Sequence, residues 1–174
     1  MTRTLVFVTI LFAWTLPVLA QHQPYAGQQE REIKALSPDE VKQYLSGAGM
    51  GYAKSAELNR FPGPMHVLEF ADKLDLTPEQ RARSQALLEA HKEEVRAIGA
   101  KRVASERVIE VLFRSGNVDE AALARSVREA AILEGEYRRA HLETHRRMRA
   151  LLSDEQVEQY VRLRGYERDG EHQH

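Results

Sequence analysis

Leu76-Thr77-Pro78-Glu79-Gln80 is answered further along the chain by Leu152-Ser153-Asp154-Glu155-Gln156, and the pair decides the fold. In each, a Ser or Thr hydroxyl can accept from the free N–H groups of a first helical turn. The Gln three residues on can reach back to the cap residue's own N–H. Pro78 stands at the first helical position, where a missing N–H costs nothing, and Glu79 and Glu155 oppose the positive end of the helix dipole. Leu36-Ser37-Pro38-Asp39-Glu40 repeats the pattern upstream. Leu36 with Val41, and Leu152 with Val157, are placed to form hydrophobic staples.

Between the two principal boxes the apolar and small residues recur in steps of three and four. From Pro78 to about Arg114 the stripe is Ser84, Leu88, His91, Val95, Ile98, Ser105, Ile109 and Leu112, interrupted by Arg102, and Gly99 is the only glycine. Gly116 ends this run, and Asn117-Val118-Asp119-Glu120 starts a second helix, expected from Val118 to about Leu151. Its stripe is Leu123, Val127, Ala130, Leu133, Tyr137, His141, Thr144, Met148 and Leu151. At 1.5 Å per residue the first helix is about 55 Å long. Two such rods enclose little interior, so the shorter helices and a second protomer are expected to cover them. Those shorter helices are Pro38 to Leu45, a turn or two within Tyr52 to Leu58, one carrying Met65 to Phe70, and Asp154 to about Leu163. The fold class is all-α: a long antiparallel hairpin with short flanking helices.

The ends read differently. Arg3, the uncharged apolar run Leu5 to Leu19 and the small Ala20 have the form of an export signal over residues 1–20. A polar leader, 21–36, precedes a domain at 37–166, and 167–174 is a flexible tail. The chain's 174 residues include no cysteine, so neither a disulfide nor a thiol nucleophile is available, and the net charge of −1 gives no sign of a nucleic-acid partner. No serine sits in a nucleophile-elbow pattern, and the sequence carries no recognisable enzyme motif.

Folding the hairpin about Gly116 pairs residues whose numbers sum to about 232, which sets His91 opposite His141. His145 lies one turn further on the same face, with Glu94 and Met148 as the nearest additional donors. Two imidazoles spaced i, i+4 and a third from the facing helix suit zinc, copper, nickel or cobalt, and Met148 favours a softer ion. The alternative is a pair of partly buried histidines satisfied by carbonyls or by each other. Glu143, two positions after His141, points about 200° around the helix, unlike the glutamate of the zinc-protease helix motif.

The export signal, the paired boxes and the hairpin between them resemble the Spy/CpxP family of bacterial periplasmic stress proteins. Gly49 to Asn59, Pro62 to Glu69 and Leu163-Arg164-Gly165-Tyr166 are similar to its heavy-metal sensor branch, which is CnrX-like. The resemblance implies periplasmic location, a cradle-shaped homodimer, and no catalysis or required cofactor. It implies one of two roles. The first is a metal-responsive partner of a membrane sensor kinase or anti-sigma system; the second is an ATP-independent chaperone for unfolded clients. It adds His66, before the first box, and Met148, before the second, to the metal candidates. Counted from the boxes, Thr144 occupies the position where such sensors place a histidine, and His66 stands one residue out of register.

Overall fold

The computed structural model describes residues 24–167 and contains six helices there, with no strand among the described residues. They are α1 (Pro38–Ser46), α2 (Lys54–Glu57), α3 (Pro64–Glu69), α4 (Pro78–Arg114), α5 (Glu120–Arg149) and α6 (Asp154–Arg164). The expected export signal, most of the tail, and His172 and His174 lie outside the described residues.

Helices α4 and α5 run against each other as the hairpin, with α1 and α3 packed on α4, and α2 and α3 against α5. Ser37, Thr77 and Ser153 each accept from the backbone N–H three residues on, and Glu40, Gln80 and Gln156 reciprocate. At the hairpin turn the expectation is corrected. Asp119 caps α5, accepting from Ala122 N at 2.7 Å, and the helix starts at Glu120. A carboxylate there both accepts the N–H and opposes the dipole, two advantages that the Asn117 side chain does not combine.

The core divides into two apolar clusters strung along the hairpin. Near the boxes, Val67, Leu74, Leu87, Met148, Val157 and Tyr160 are buried together. Further along, Ile33, Leu36, Tyr44, Val95, Val103 and Tyr137 form the second. Val67, Val95 and Val157 are fully buried, each contributing about 1.5–3 kcal/mol relative to exposure.

Three features of this packing differ from the sequence expectation. The buried line on α4 runs through Ser84, Leu87, Val95, Gly99 and Val103 rather than through Leu88 and Ile98, which are only partly buried. Gly99 is the reason: α1 ends so close to it that a Cβ would stand 2.1 Å from the Tyr44 carbonyl oxygen. Next, Ile33 and Leu36, in the stretch expected to be a mobile leader, are buried. Lys34 Nζ meets Glu110 Oε1 at 2.6 Å and Arg107 meets Glu32 at 3.0 Å, strapping this segment onto α4. Finally, Val127, expected on the buried stripe, is exposed, as are Val108, Val111, Phe113 and Ile132. Among the described residues no third helix covers the far half of the hairpin.

Candidate functional site

Between the two apolar clusters the hairpin interior turns polar. Along α4 the sequence runs Leu87, His91, Val95; along α5 it runs Met148, Thr144, His141, Tyr137, so the imidazoles fall at the seam. The rings of His91 and His141 meet edge to face with centroids 4.7 Å apart. Thr144 Oγ1 bonds His91 Nδ1 at 3.0 Å. His141 is tilted over Tyr137 at 4.8 Å and stacked parallel with Tyr52 at 6.1 Å. Its Nε2 is buried and has no hydrogen-bond partner. A buried ring nitrogen left bare costs free energy, about 1–3 kcal/mol, and such an atom calls for an explanation.

A cavity of about 440 Å³ opens on this seam, lined by His66, His91, His141 and His145 together with Glu57 and the glycine-rich loop Gly47 to Gly51. Burial, with His145 close by, lowers the pKa of His91 to about 4. Burial, with His91 and His145 beside it, does the same to His141. Both rings are therefore neutral at pH 7, the form that ligates a metal.

His145 is held by its other nitrogen. Its Nδ1 lies 2.7 Å from the Phe61 carbonyl oxygen, which can only accept, so Nδ1 carries the proton and Nε2 is left as the basic nitrogen. Glu57 Oε2 stands 3.6 Å from the same Nδ1, buried and without a hydrogen-bond partner of its own. His66 is less committed, its Nδ1 bonded to Glu69 at 3.0 Å on the cavity rim.

Behind His141 runs a polar network joining both long helices. Tyr44 donates to Glu134 at 3.0 Å, Tyr52 bonds the other oxygen of that carboxylate, and Arg102 Nε reaches Glu134 at 3.1 Å. Burial raises the pKa of Glu134, but the bonds from Tyr52, Arg102 and Tyr44 outweigh it and keep the carboxyl below its usual range. Arg102, which breaks the apolar stripe in the sequence, is thus an internal tie, also paired with Glu106 at 2.6 Å.

At the opposite end the two boxes face each other. Gln80 Nε2 donates to Leu151 O at 2.8 Å, and Gln156 Nε2 donates to Leu74 O at 3.1 Å. The two amides also bond each other, at 2.9 and 3.0 Å. Each box's glutamine therefore caps its own helix and binds the chain entering the other, which explains why the pattern occurs twice.

The sequence profile of the LTXXQ motif family protein matches residues 64–164, more than half of the chain. The chain belongs to the LTXXQ motif family. Comparison with curated proteins and with solved structures finds no match. In this Spy/CpxP-related LTXXQ protein the motif residues Leu76, Thr77, Gln80, Leu152, Ser153 and Gln156 form the clasp, and the candidate ligands lie about three turns along the hairpin from it.

Of the candidates named from sequence, His91, His141, His145 and His66 share the cavity wall, whereas Met148 does not. Met148 is fully buried in the apolar cluster with Val67 and Leu87, so its sulfur packs as a hydrophobe. Glu94 faces outward and pairs with Arg139 at 3.4 Å. Thr144 and Glu57 were not picked out as site residues; Thr144 lay on the stripe, but nothing in the spacing linked Glu57, on the remote α2, to the imidazoles. Among the described residues no group of three His, Asp or Glu side chains converges into a ready metal cluster. The fit is one of donor chemistry: adjacent neutral imidazoles, one with an orphaned nitrogen, beside a cavity.

Proposed function

We propose that this LTXXQ protein is a non-enzymatic, metal-responsive stress protein of the periplasm that holds a transition metal ion between its long helices. His91 and His141 are the core of the donor set, with His145 from the next turn. The observation that carries the reading is His141 Nε2, buried and without a hydrogen-bond partner, on a ring that meets that of His91 across the hairpin. Zinc, cobalt, nickel or copper would supply a Lewis-acid centre that bare imidazole nitrogens satisfy. Because the rings do not yet converge, binding favours a hairpin packing in which they do. The effect on a partner is limited by the ion's difference in affinity for the two packings. The partner class is a membrane sensor kinase or anti-sigma protein. Titration calorimetry with each of the four ions tests this. Wild type binds, and the His91→Ala/His141→Ala variant loses affinity; unchanged affinity and stoichiometry overturn the reading.

A second reading rests on the far half of the hairpin, where Val108, Val111, Phe113, Val127 and Ile132 are exposed among arginines and glutamates. An open amphipathic face of this kind suits ATP-independent holding of unfolded clients. Suppression of aggregation of an unfolded reporter at near-stoichiometric ratio, reduced by Val127→Asp/Ile132→Asp, supports it. Light scattering that shows a homodimer dissociated by the same changes assigns the face to a second copy instead.

A further inference from the structure

We propose that Glu57 is a positioning residue for the metal site, its carboxylate supporting His145 as a ligand and tying that ligand to α6. This rests on the metal reading above. Glu57 belongs to the short α2, far from the histidines in sequence, yet its side chain is 13% exposed and lies on the cavity wall. Its two oxygens have separate duties. Oε1 accepts from Tyr160 OH at 2.6 Å and pairs with Arg164 Nε at 3.3 Å, both on α6. Oε2 is left without a hydrogen bond and faces the Nδ1–H of His145.

A carboxylate fully satisfied by Tyr160 and Arg164 would explain itself as a structural tie. Glu57 is satisfied on one oxygen only, and the other is buried beside an imidazole N–H that already bonds the Phe61 carbonyl. The Phe61 carbonyl holds the proton on Nδ1, and the carboxylate, 3.6 Å from the same nitrogen, lies where its charge is favourable when a cation draws electron density from the ring. The carboxylate's distinct contribution is therefore its charge. Gly63 completes the seat. A Cβ there would stand 2.9 Å from His145 Cε1 and 3.0 Å from its Nε2, so the ring packs directly on the connector and leaves no room for a side chain. With Met148 withdrawn into the apolar core, the donors at the cavity are imidazole nitrogens backed by a carboxylate, a set for borderline divalent ions such as zinc, cobalt and nickel rather than for Cu(I). The route out of the site is then His145, Glu57, and the C-terminal end of α6.

The test uses Zn²⁺ and Co²⁺ alone with the full mature chain. Glu57→Gln keeps the shape and a partner for Tyr160 while removing the charge. Its Zn²⁺ affinity is expected to fall about tenfold, the usual scale for a carboxylate behind a ligating histidine. The visible absorption of bound Co²⁺ stays as in wild type, because the ligands are unchanged. Wild-type Zn²⁺ affinity in Glu57→Gln, with binding abolished in His91→Ala/His141→Ala, overturns the role of Glu57 and leaves the metal reading standing. Binding that survives the double histidine change overturns the metal reading itself. A changed Co²⁺ spectrum in Glu57→Gln makes Glu57 a ligand and overturns the positioning role. Should Glu57→Gln fail to fold, Glu57→Asp takes its place: it keeps the charge but draws it back from His145, so a smaller fall in Zn²⁺ affinity is expected, and wild-type affinity overturns the role of Glu57.

Discussion

Single residues carry the two ends of this molecule by different means. At the clasp, Gln80 and Gln156 each satisfy a helix start, a carbonyl of the opposite entry strand and one another, so neither can be removed without leaving buried polar groups bare. Gln80→Ala and Gln156→Ala are each expected to cost about 1–3 kcal/mol. In a double-mutant cycle by urea melting, the pair should show a coupling of about 0.5 kcal/mol or more, and additive losses would mean the amides do not interact. At the seam, His91 and His141 are neutral with pKa values near 4, against an ordinary 6.5 in the unfolded chain. Between those values the unfolded chain binds more protons than the folded one, so stability rises with pH across that window and is lost as pH falls from 6.5 to about 4. Denaturant midpoints at pH 7 and pH 5 are expected to differ in that direction. In His91→Gln/His141→Gln the difference should shrink; a pH dependence as steep as wild type would place its origin elsewhere.

At the level of elements, the helices are well specified locally and are seated by a few close approaches. Gly99 lets α1 lay the Tyr44 carbonyl directly on α4, and Gly47, with φ 72°, then turns the chain away as the left-handed cap of α1. Gly99→Ala should raise helix propensity by about 1 kcal/mol, yet the new methyl meets a backbone oxygen that cannot rotate aside. The clash is expected to win, lowering the melting temperature by several degrees and loosening α1; an unchanged or higher melting temperature would show that α1 does not sit there. The segment before α1 behaves as part of the same unit, since Ile33 and Leu36 fill the second cluster.

Across the whole molecule, two apolar clusters are joined through a polar seam with a cavity lined by α2, the α1 to α2 loop and the hairpin. An ion held there would bind the folded chain and not the unfolded one, adding about 2.7 kcal/mol when its concentration is a hundredfold above its Kd. Thermal melts with and without Zn²⁺ are expected to show that gain in wild type and not in His91→Ala/His141→Ala. A shift of equal size in both would assign the effect to other groups. Among the described residues no helix is long and apolar enough to cross a membrane. On the metal-responsive reading proposed above, the exposed half of the hairpin and the C-terminal end of α6 are where a signalling partner is to be sought.

The helices, their caps, the hairpin and the pairing of His91 with His141 were legible in the chain itself, because capping chemistry and the 3.6-residue period are local and an antiparallel hairpin has a single register once its turn is known. What the tertiary structure alone decided is which groups from outside the hairpin reach the site. Glu57 and Phe61 arrive on the connector between α1 and α3, held in place by His145 on α5 and Tyr160 on α6. Met148 and Thr144, one turn apart on α5, fall on opposite sides of the boundary between apolar core and cavity. Periodicity places a residue on a face, but whether that face meets a valine or a carboxylate is set by contacts between segments remote in sequence.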